Sequence, residues 1–247
     1  MDVPTLVLLP SPLLGKAVWE PVAAEVADRG YPVQTVSTPS SPPRTFDDVL
    51  DHVLSAVPSD RCVILLPHSN AGLYVPSLVR QRQVVGAVFV DAGLPPKNGD
   101  VLLAPPQLLT VLAEKVDSDG LLPPWTAWWD ELDVAALFPN PEVRERVERH
   151  QPRLPLSYFS ARLTVPPGWH NGLDGAYLAF GRTYAEDRNR AAVWVVLSRW
   201  LRYCRWCAHV CDHIRCLIIV AWPIRRTGWG TCSGRPHMRS AGECRWH

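Results

Sequence analysis

Four short apolar runs, residues 5–9, 31–36, 62–66 and 84–90, follow one another with a helix-period segment between each pair. Runs of this length bounded by Pro, Gly and Ser read as buried strands. Between the first two, Val18, Val22, Ala23 and Val26 recur at helical spacing and Gly30 closes the segment. Between the next two, Phe46 opens a second helix with Asp47 and Asp48 in its first turn, and its apolar stripe is Val49, Leu50, Val53 and Leu54. Leu73, Pro76, Ser77 and Val79 mark a third helix before the fourth strand. Strands that alternate with helices must pair in parallel, because each crossover carries the chain back to the same end of the sheet. The predicted fold class is therefore α/β: a three-layer α/β/α sandwich with a mostly parallel sheet. At 247 residues the chain is long enough to bury a full core for one such domain.

Ligand sites in open parallel sheets lie at the carboxyl ends of the strands. Three features fall there: the Pro-rich loop 10–15, Ser69 and Asp91. The third strand runs Val63-Ile64-Leu65-Leu66-Pro67-His68 and stops at Ser69, followed by Asn70-Ala71-Gly72-Leu73-Tyr74. A strand, a sharp turn with serine at its apex, and a helix is the local shape of a nucleophile elbow. The consensus Gly-x-Ser-x-Gly is degenerate in this chain, with Pro67 and Ala71 at the glycine places and Gly72 one step later. The bland alternative is a buried strand entering a helix that Ser69 merely caps.

After residue 94 the alternation stops. Helical pieces are expected at 107–116, 125–138 and 141–150, interrupted by Pro-Pro pairs. An insertion after the fourth strand is where a lid would lie, at about 94–167, and Trp125, Trp128 and Trp129 could wall an apolar pocket. Ordinary helix packing onto the domain is the competing reading. Residues 176–180 read as a returning strand, and 184–190 as the start of a helix.

The segments Leu8-Leu9-Pro10-Ser11-Pro12-Leu13-Leu14-Gly15 with Trp19, His68-Ser69-Asn70-Ala71-Gly72 and Val88-Phe89-Val90-Asp91-Ala92 resemble the α/β-hydrolase superfamily, in its small, lidded, esterase- and lipase-like form. The resemblance covers roughly residues 3–190, and similar bacterial sequences share the segment around Ala176-Tyr177-Leu178. It implies Ser69 as nucleophile and the backbone N–H of Asn70 as half of an oxyanion hole. The family takes the other half from the loop after the first strand. Pro12 has no N–H to give, which leaves Leu13 as the donor. Many members carry the acid one strand later than Asp91, but Gly181-Arg182 stands at that place and Glu186 and Asp187 fall inside the expected helix. Asp91 is therefore the candidate acid, with a turn or cap carboxylate as its alternative role. His68 should point away from the serine into the packing beneath. The family order Ser, acid, His puts the base after the last strand, where His209, His213, His237 and His247 compete. A final strand at 222–225 would select His237.

The implied reaction is hydrolysis of a small ester or related acyl compound through a seryl acyl-enzyme, with a small-molecule substrate and no metal or organic cofactor. The alternative is a catalytically impaired hydrolase-like protein that binds a small apolar ligand. A net charge of +1 argues against a nucleic-acid surface. The N-terminal apolar run is too short for a signal peptide or membrane span, so a cytoplasmic protein with no membrane attachment is expected.

Residues 191–247 have a different character. Six of the seven cysteines (Cys204, Cys207, Cys211, Cys216, Cys232, Cys244) crowd there with tryptophan and arginine, without a lysine. Three readings compete: a zinc site from Cys204, Cys207, Cys211, His213 and Cys216, an amphipathic partner- or membrane-facing helix over 193–220, and translation out of frame in a GC-rich gene. The composition favours the third, which predicts a hydrolase-like ending in one of the other two frames of the coding DNA. Absence of such an ending in both frames removes it.

Overall fold

The computed structural model describes residues 3–39, 41–180 and 183–193. The strands are β1 (Thr5–Leu9), β2 (Val33–Thr35), β3 (Val63–Ser69), β4 (Val84–Ala92), β5 (Gly99–Leu102), β6 (Arg162–Val165) and β7 (Asp174–Leu178). The α-helices are α1 (Glu20–Asp28), α2 (Phe46–Ala56), α3 (Val75–Gln81), α4 (Pro106–Ala113), α5 (Glu131–Ala135), α6 (Pro141–Glu148), α7 (Leu156–Ser160) and α8 (Ala185–Val193). Five strands form one sheet in the order β2-β1-β3-β4-β7, and each described pairing in it is parallel.

Side chains alternate across a strand, so each strand feeds two cores. Val7, Leu9, Val63, Leu65, Ala87 and Phe89 face the side covered by α2 and α3. Leu6, Leu8, Ile64, Leu66, Val88 and Val90 face the side where Trp19, Val22 and Val26 of the first helical segment pack. Both faces are dry, and each fully buried aliphatic side chain contributes roughly 1.5–3 kcal/mol. This is the expected three-layer sandwich. It explains why the strands read as continuous apolar runs rather than as alternation.

The local signals set the helix starts. Thr45 caps α2 through its side chain on the Asp48 N–H, while the Asp48 carboxylate accepts from the Thr45 N–H. The same backbone bonds hold the Asp48 carboxyl below its usual range. The first helical segment is divided into a 3-10 turn at Lys16–Trp19 and then α1, with Pro21 in the first turn of the α-helix, where its missing N–H costs nothing.

The insertion departs from the sequence expectation. The stretch 125–138 is not one helix. It is a 3-10 turn at Trp125–Ala127 and a short α5 capped by the Asp130 side chain. Two four-residue strands, β5 and β6, pair antiparallel across the insertion, and no helical or alternating pattern of useful length announces them. The three tryptophans also separate. Trp128 is buried against Phe159 with its indole N–H donated to the Pro123 carbonyl, whereas Trp129 is 46% exposed. Trp128 is thus part of the packing that docks the insertion, together with Tyr158 of α7 against Phe46 of α2.

After Ser69 the chain makes a 3-10 turn, Asn70–Tyr74, before α3. This turn lies hard against the end of β4. The Gly93 N–H donates to the Ser69 carbonyl at 3.0 Å, and a Cβ on Gly72 would stand 2.0 Å from the Gly93 carbonyl oxygen. Position 72, rather than the consensus place at 71, is where this fold demands glycine. Gly72→Ala is expected to cost about 3 kcal/mol or more. Ala71→Gly is expected to cost about 1 kcal/mol. Urea midpoints of the two variants check the order, and equal losses would contradict it.

Candidate active site

Ser69 is the last residue of β3 and adopts φ 57° and ψ −130°. For a residue with a Cβ this is sparsely populated backbone, of order 1–3 kcal/mol above relaxed geometry, and it persists only where surrounding structure holds it. The parallel pairing with β4 shifts register between His68 and Ser69, which brings Ser69 opposite Ala92. Asp91, next to Ala92, is the other non-glycine residue at positive φ among the described residues, at 41°. Positive φ thus occurs near the ends of two neighbouring strands, at a serine in one and an aspartate in the other. Asp91 accepts a hydrogen bond from the Phe180 N–H at 3.2 Å, which ties it to the chain leaving β7.

The Ser69 hydroxyl is partly buried, and its Oγ lies 2.9 Å from the Tyr184 hydroxyl. Tyr184 immediately precedes α8. That helix is clamped to the chain after β4: the Asp187 carboxylate accepts from the Leu94 N–H at 2.9 Å, and Arg190 donates to the Leu94 carbonyl at 2.7 Å. Arg190 also pairs with Asp187 itself. Burial pushes the Tyr184 phenol up to about 12; the Ser69 hydrogen bond opposes this, and the Asp91 and Asp187 charges add smaller increases. Asp187 is thus engaged in holding α8. Tyr177 donates to the Ala92 carbonyl at 2.6 Å, fastening the other side of the β4 terminus.

Asn70 is pinned by its side chain. Its Nδ2 donates to the Leu103 carbonyl at 3.0 Å, and its Oδ1 accepts from the Tyr158 hydroxyl. With that proton committed, the buried Tyr74 hydroxyl must donate to Tyr158. Desolvation raises both phenols, so they remain neutral donors. The residue that follows the serine is thereby bonded to two parts of the insertion.

Loop 10–15 turns back on Ser11, whose carbonyl accepts from the Leu14 and Gly15 N–H groups. The N–H of Leu13 donates to the Ser11 hydroxyl at 3.3 Å, so in this structure the expected oxyanion donor is engaged within its own loop. Beside the loop, Pro10, Pro12, Val36, Val53, Tyr74 and Leu154 line an apolar crevice with about 30 Å³ of room, enough for a water or two.

His68 lies beneath the elbow, as its position next to the serine predicts. Its ring meets Trp19 edge-on at 6.2 Å with Nδ1 buried, and desolvation lowers its pKa from 6.5 to about 4. His237 and the other tail histidines lie outside the described residues, as do Gly181, Arg182 and every cysteine of the zinc reading. Among the described residues no three His, Cys, Asp or Glu side chains gather in a way that could hold a metal ion. No helix among them is long and apolar enough to cross a membrane. Tyr184, Tyr158 and Tyr74 are the site residues that sequence reasoning missed. Only a clustering of tyrosines that is invisible along the chain could have drawn attention to them.

No family model and no curated protein matches the chain. Solved structures do. An extracellular α/β-hydrolase from a Paenibacillus species, which shares structural and functional homology with tobacco salicylic acid binding protein 2, superposes with a TM-score of 0.54 at 18% identity, covering 71% of this chain and 77% of that one. A methylesterase from Arabidopsis gives 0.55 at 13% identity, covering 75% and 84%. Tomato methylketone synthase I, in complex with 2-tridecanone, gives 0.54 at 13%, covering 78% and 86%.

The buried His68 makes stability depend on pH. Its pKa in the folded chain, about 4, lies below the ordinary 6.5. The unfolded chain therefore takes up the proton first, and stability present above pH 6.5 is lost as pH falls toward 4. Between pH 7 and pH 5 the loss is expected to be about 2 kcal/mol. His170, lowered by burial and by Lys97, adds in the same sense. Denaturation at the two pH values measures the slope, and His68→Gln should flatten most of it; an unchanged slope would show that the ring is not held neutral by burial.

Proposed function

Given that the chain has the α/β-hydrolase fold, we propose that it is a serine hydrolase acting on a small ester or related acyl compound through an acyl-enzyme at Ser69. The observation that carries this reading is the positive φ of Ser69 at the strand-to-helix turn. Backbone held in that region at a site end of the sheet exposes a hydroxyl that ordinary strand geometry would bury.

In the proposed reaction the Ser69 Oγ attacks the substrate carbonyl carbon while a base takes its proton. The tetrahedral oxyanion accepts from the Asn70 N–H and, once released from the Ser11 hydroxyl, the Leu13 N–H. The leaving alcohol departs with a proton from the same base, and water then repeats the sequence to free the acid. His237 is the proposed base and Asp91 the carboxylate that orients it. The small-molecule substrate would enter between loop 10–15 and the insertion, which serves as the lid in this proposal.

A second reading, a hydrolase-like scaffold that binds a small apolar ligand without turnover, draws on two observations. The Ser69 hydroxyl is bonded to Tyr184, and the Leu13 N–H is bonded within its loop.

Labelling with a serine-directed fluorophosphonate separates the two. The wild-type chain is expected to label, and Ser69→Ala to lose at least about a thousandfold in rate. A folded wild-type chain that takes no label supports the binder instead.

A further inference from the structure

The contact that the proposed reaction leaves unexplained is the one between Ser69 and Tyr184. The two hydroxyls are 2.9 Å apart, and the phenol is half-buried at the start of α8. The sheet order sets the direction from which it arrives. Loop 10–15 follows β1, on one side of β3, whereas Tyr184 follows β7, on the far side of β4. Tyr184 therefore reaches Oγ from the flank opposite the oxyanion loop and addresses the nucleophile's own oxygen.

The residue next to Tyr184 begins α8, and α8 is held by Asp187 and Arg190 on the two backbone polar groups of Leu94, just past β4. The β4 terminus is in turn bonded to β3 through the Gly93 N–H on the Ser69 carbonyl. Tyr184 is thus carried on the same framework that strains Ser69.

Resting on the hydrolase reading, we propose that Tyr184 is a further catalytic residue, whose hydroxyl donates a hydrogen bond to Ser69 Oγ and stabilises the negative charge on that oxygen as it ionises and again as it departs. In acylation the Oγ–H bond breaks, its proton goes to the base, Oγ bonds to the carbonyl carbon, and the carbon–oxygen bond to the leaving group breaks. In deacylation Oγ leaves with the electron pair of the acyl bond and recovers its proton from the base. The Tyr184 O–H bond stays whole throughout. A phenol pushed up to about 12 by burial and by two carboxylates keeps its proton at neutral pH, so it acts as a donor and not as a base. A donor to a charged oxygen in a partly buried site is worth more than one in water.

Tyr184→Phe keeps the ring and removes only the donor. The full chain and this variant are compared for the rate of fluorophosphonate labelling across pH, with thermal melting as the check on folding. Tyr184→Phe is expected to label about 10- to 100-fold more slowly, the loss of one hydrogen bond to a charged group. Melting should be nearly unchanged, and the inflection of the rate–pH profile, which reports the base, should stay where it is in the wild type. Tyr177→Phe, which removes a half-buried hydroxyl from the Ala92 carbonyl without touching Ser69, should label at nearly the wild-type rate.

Equal rates in wild type and Tyr184→Phe overturn the catalytic role while leaving Ser69 as nucleophile. Faster labelling of Tyr184→Phe also overturns it, and makes the tyrosine a block on the serine. A matching loss of rate in Tyr177→Phe overturns it as a packing effect. No labelling of either wild type or Tyr184→Phe overturns the hydrolase reading and this proposal together.

Discussion

The parallel pairing of β3 with β4 is the constraint on which the site depends. Each strand carries a residue at positive φ at or next to its end, Ser69 and Asp91; Gly93 donates to Ser69, and Gly72 passes so close to Gly93 that no side chain fits between them. Backbone strain at one residue persists only if its neighbours leave it no relaxed alternative. Here the neighbour is a second strand end under the same constraint. The strain therefore belongs to the pair of strands rather than to the serine alone.

Around this junction the polar groups are spent on holding position. Tyr177 takes the Ala92 carbonyl, Asp187 and Arg190 take Leu94, and Phe180 gives its N–H to Asp91. On the other side, Asn70 is bonded to Leu103 and Tyr158, so the residue after the serine moves with the insertion. Buried tyrosines suit this work. Each brings a large apolar ring that packs and one hydroxyl that must find a partner, and desolvation keeps that hydroxyl protonated. A displacement of the insertion is transmitted to Asn70 through hydrogen bonds.

The reading of particular stretches shows where sequence sufficed. β1, β3 and β4 are legible because a strand buried on both faces must be apolar at successive positions, and few other local structures demand that. α2 is legible because Thr45, Asp47 and Asp48 announce its start and Val49, Val53 and Leu54 its buried face. Ser69 and Asp91 stand out because each is a polar residue at the end of an apolar run. β5 and β6 escape notice because four residues hold too few alternations to register, and their pairing is made by partners more than fifty positions apart. Tyr184 escapes for a related reason: its role as the partner of Ser69 exists only across 115 residues of chain.

The amino-acid order by itself determined the alternation of strand and helix, hence the parallel sheet, hence the edge at which a site can form. Those follow from burial and from handedness, which act on every short segment wherever it sits. Which side chains meet at that edge was decided by tertiary structure. A hydrogen bond such as that between Ser69 and Tyr184 depends on two backbones arriving within 3 Å, and no local propensity encodes where a distant element will dock. The glycine requirement at position 72 is of the same kind. It is set by the carbonyl of Gly93, a group that the sequence around Gly72 never sees.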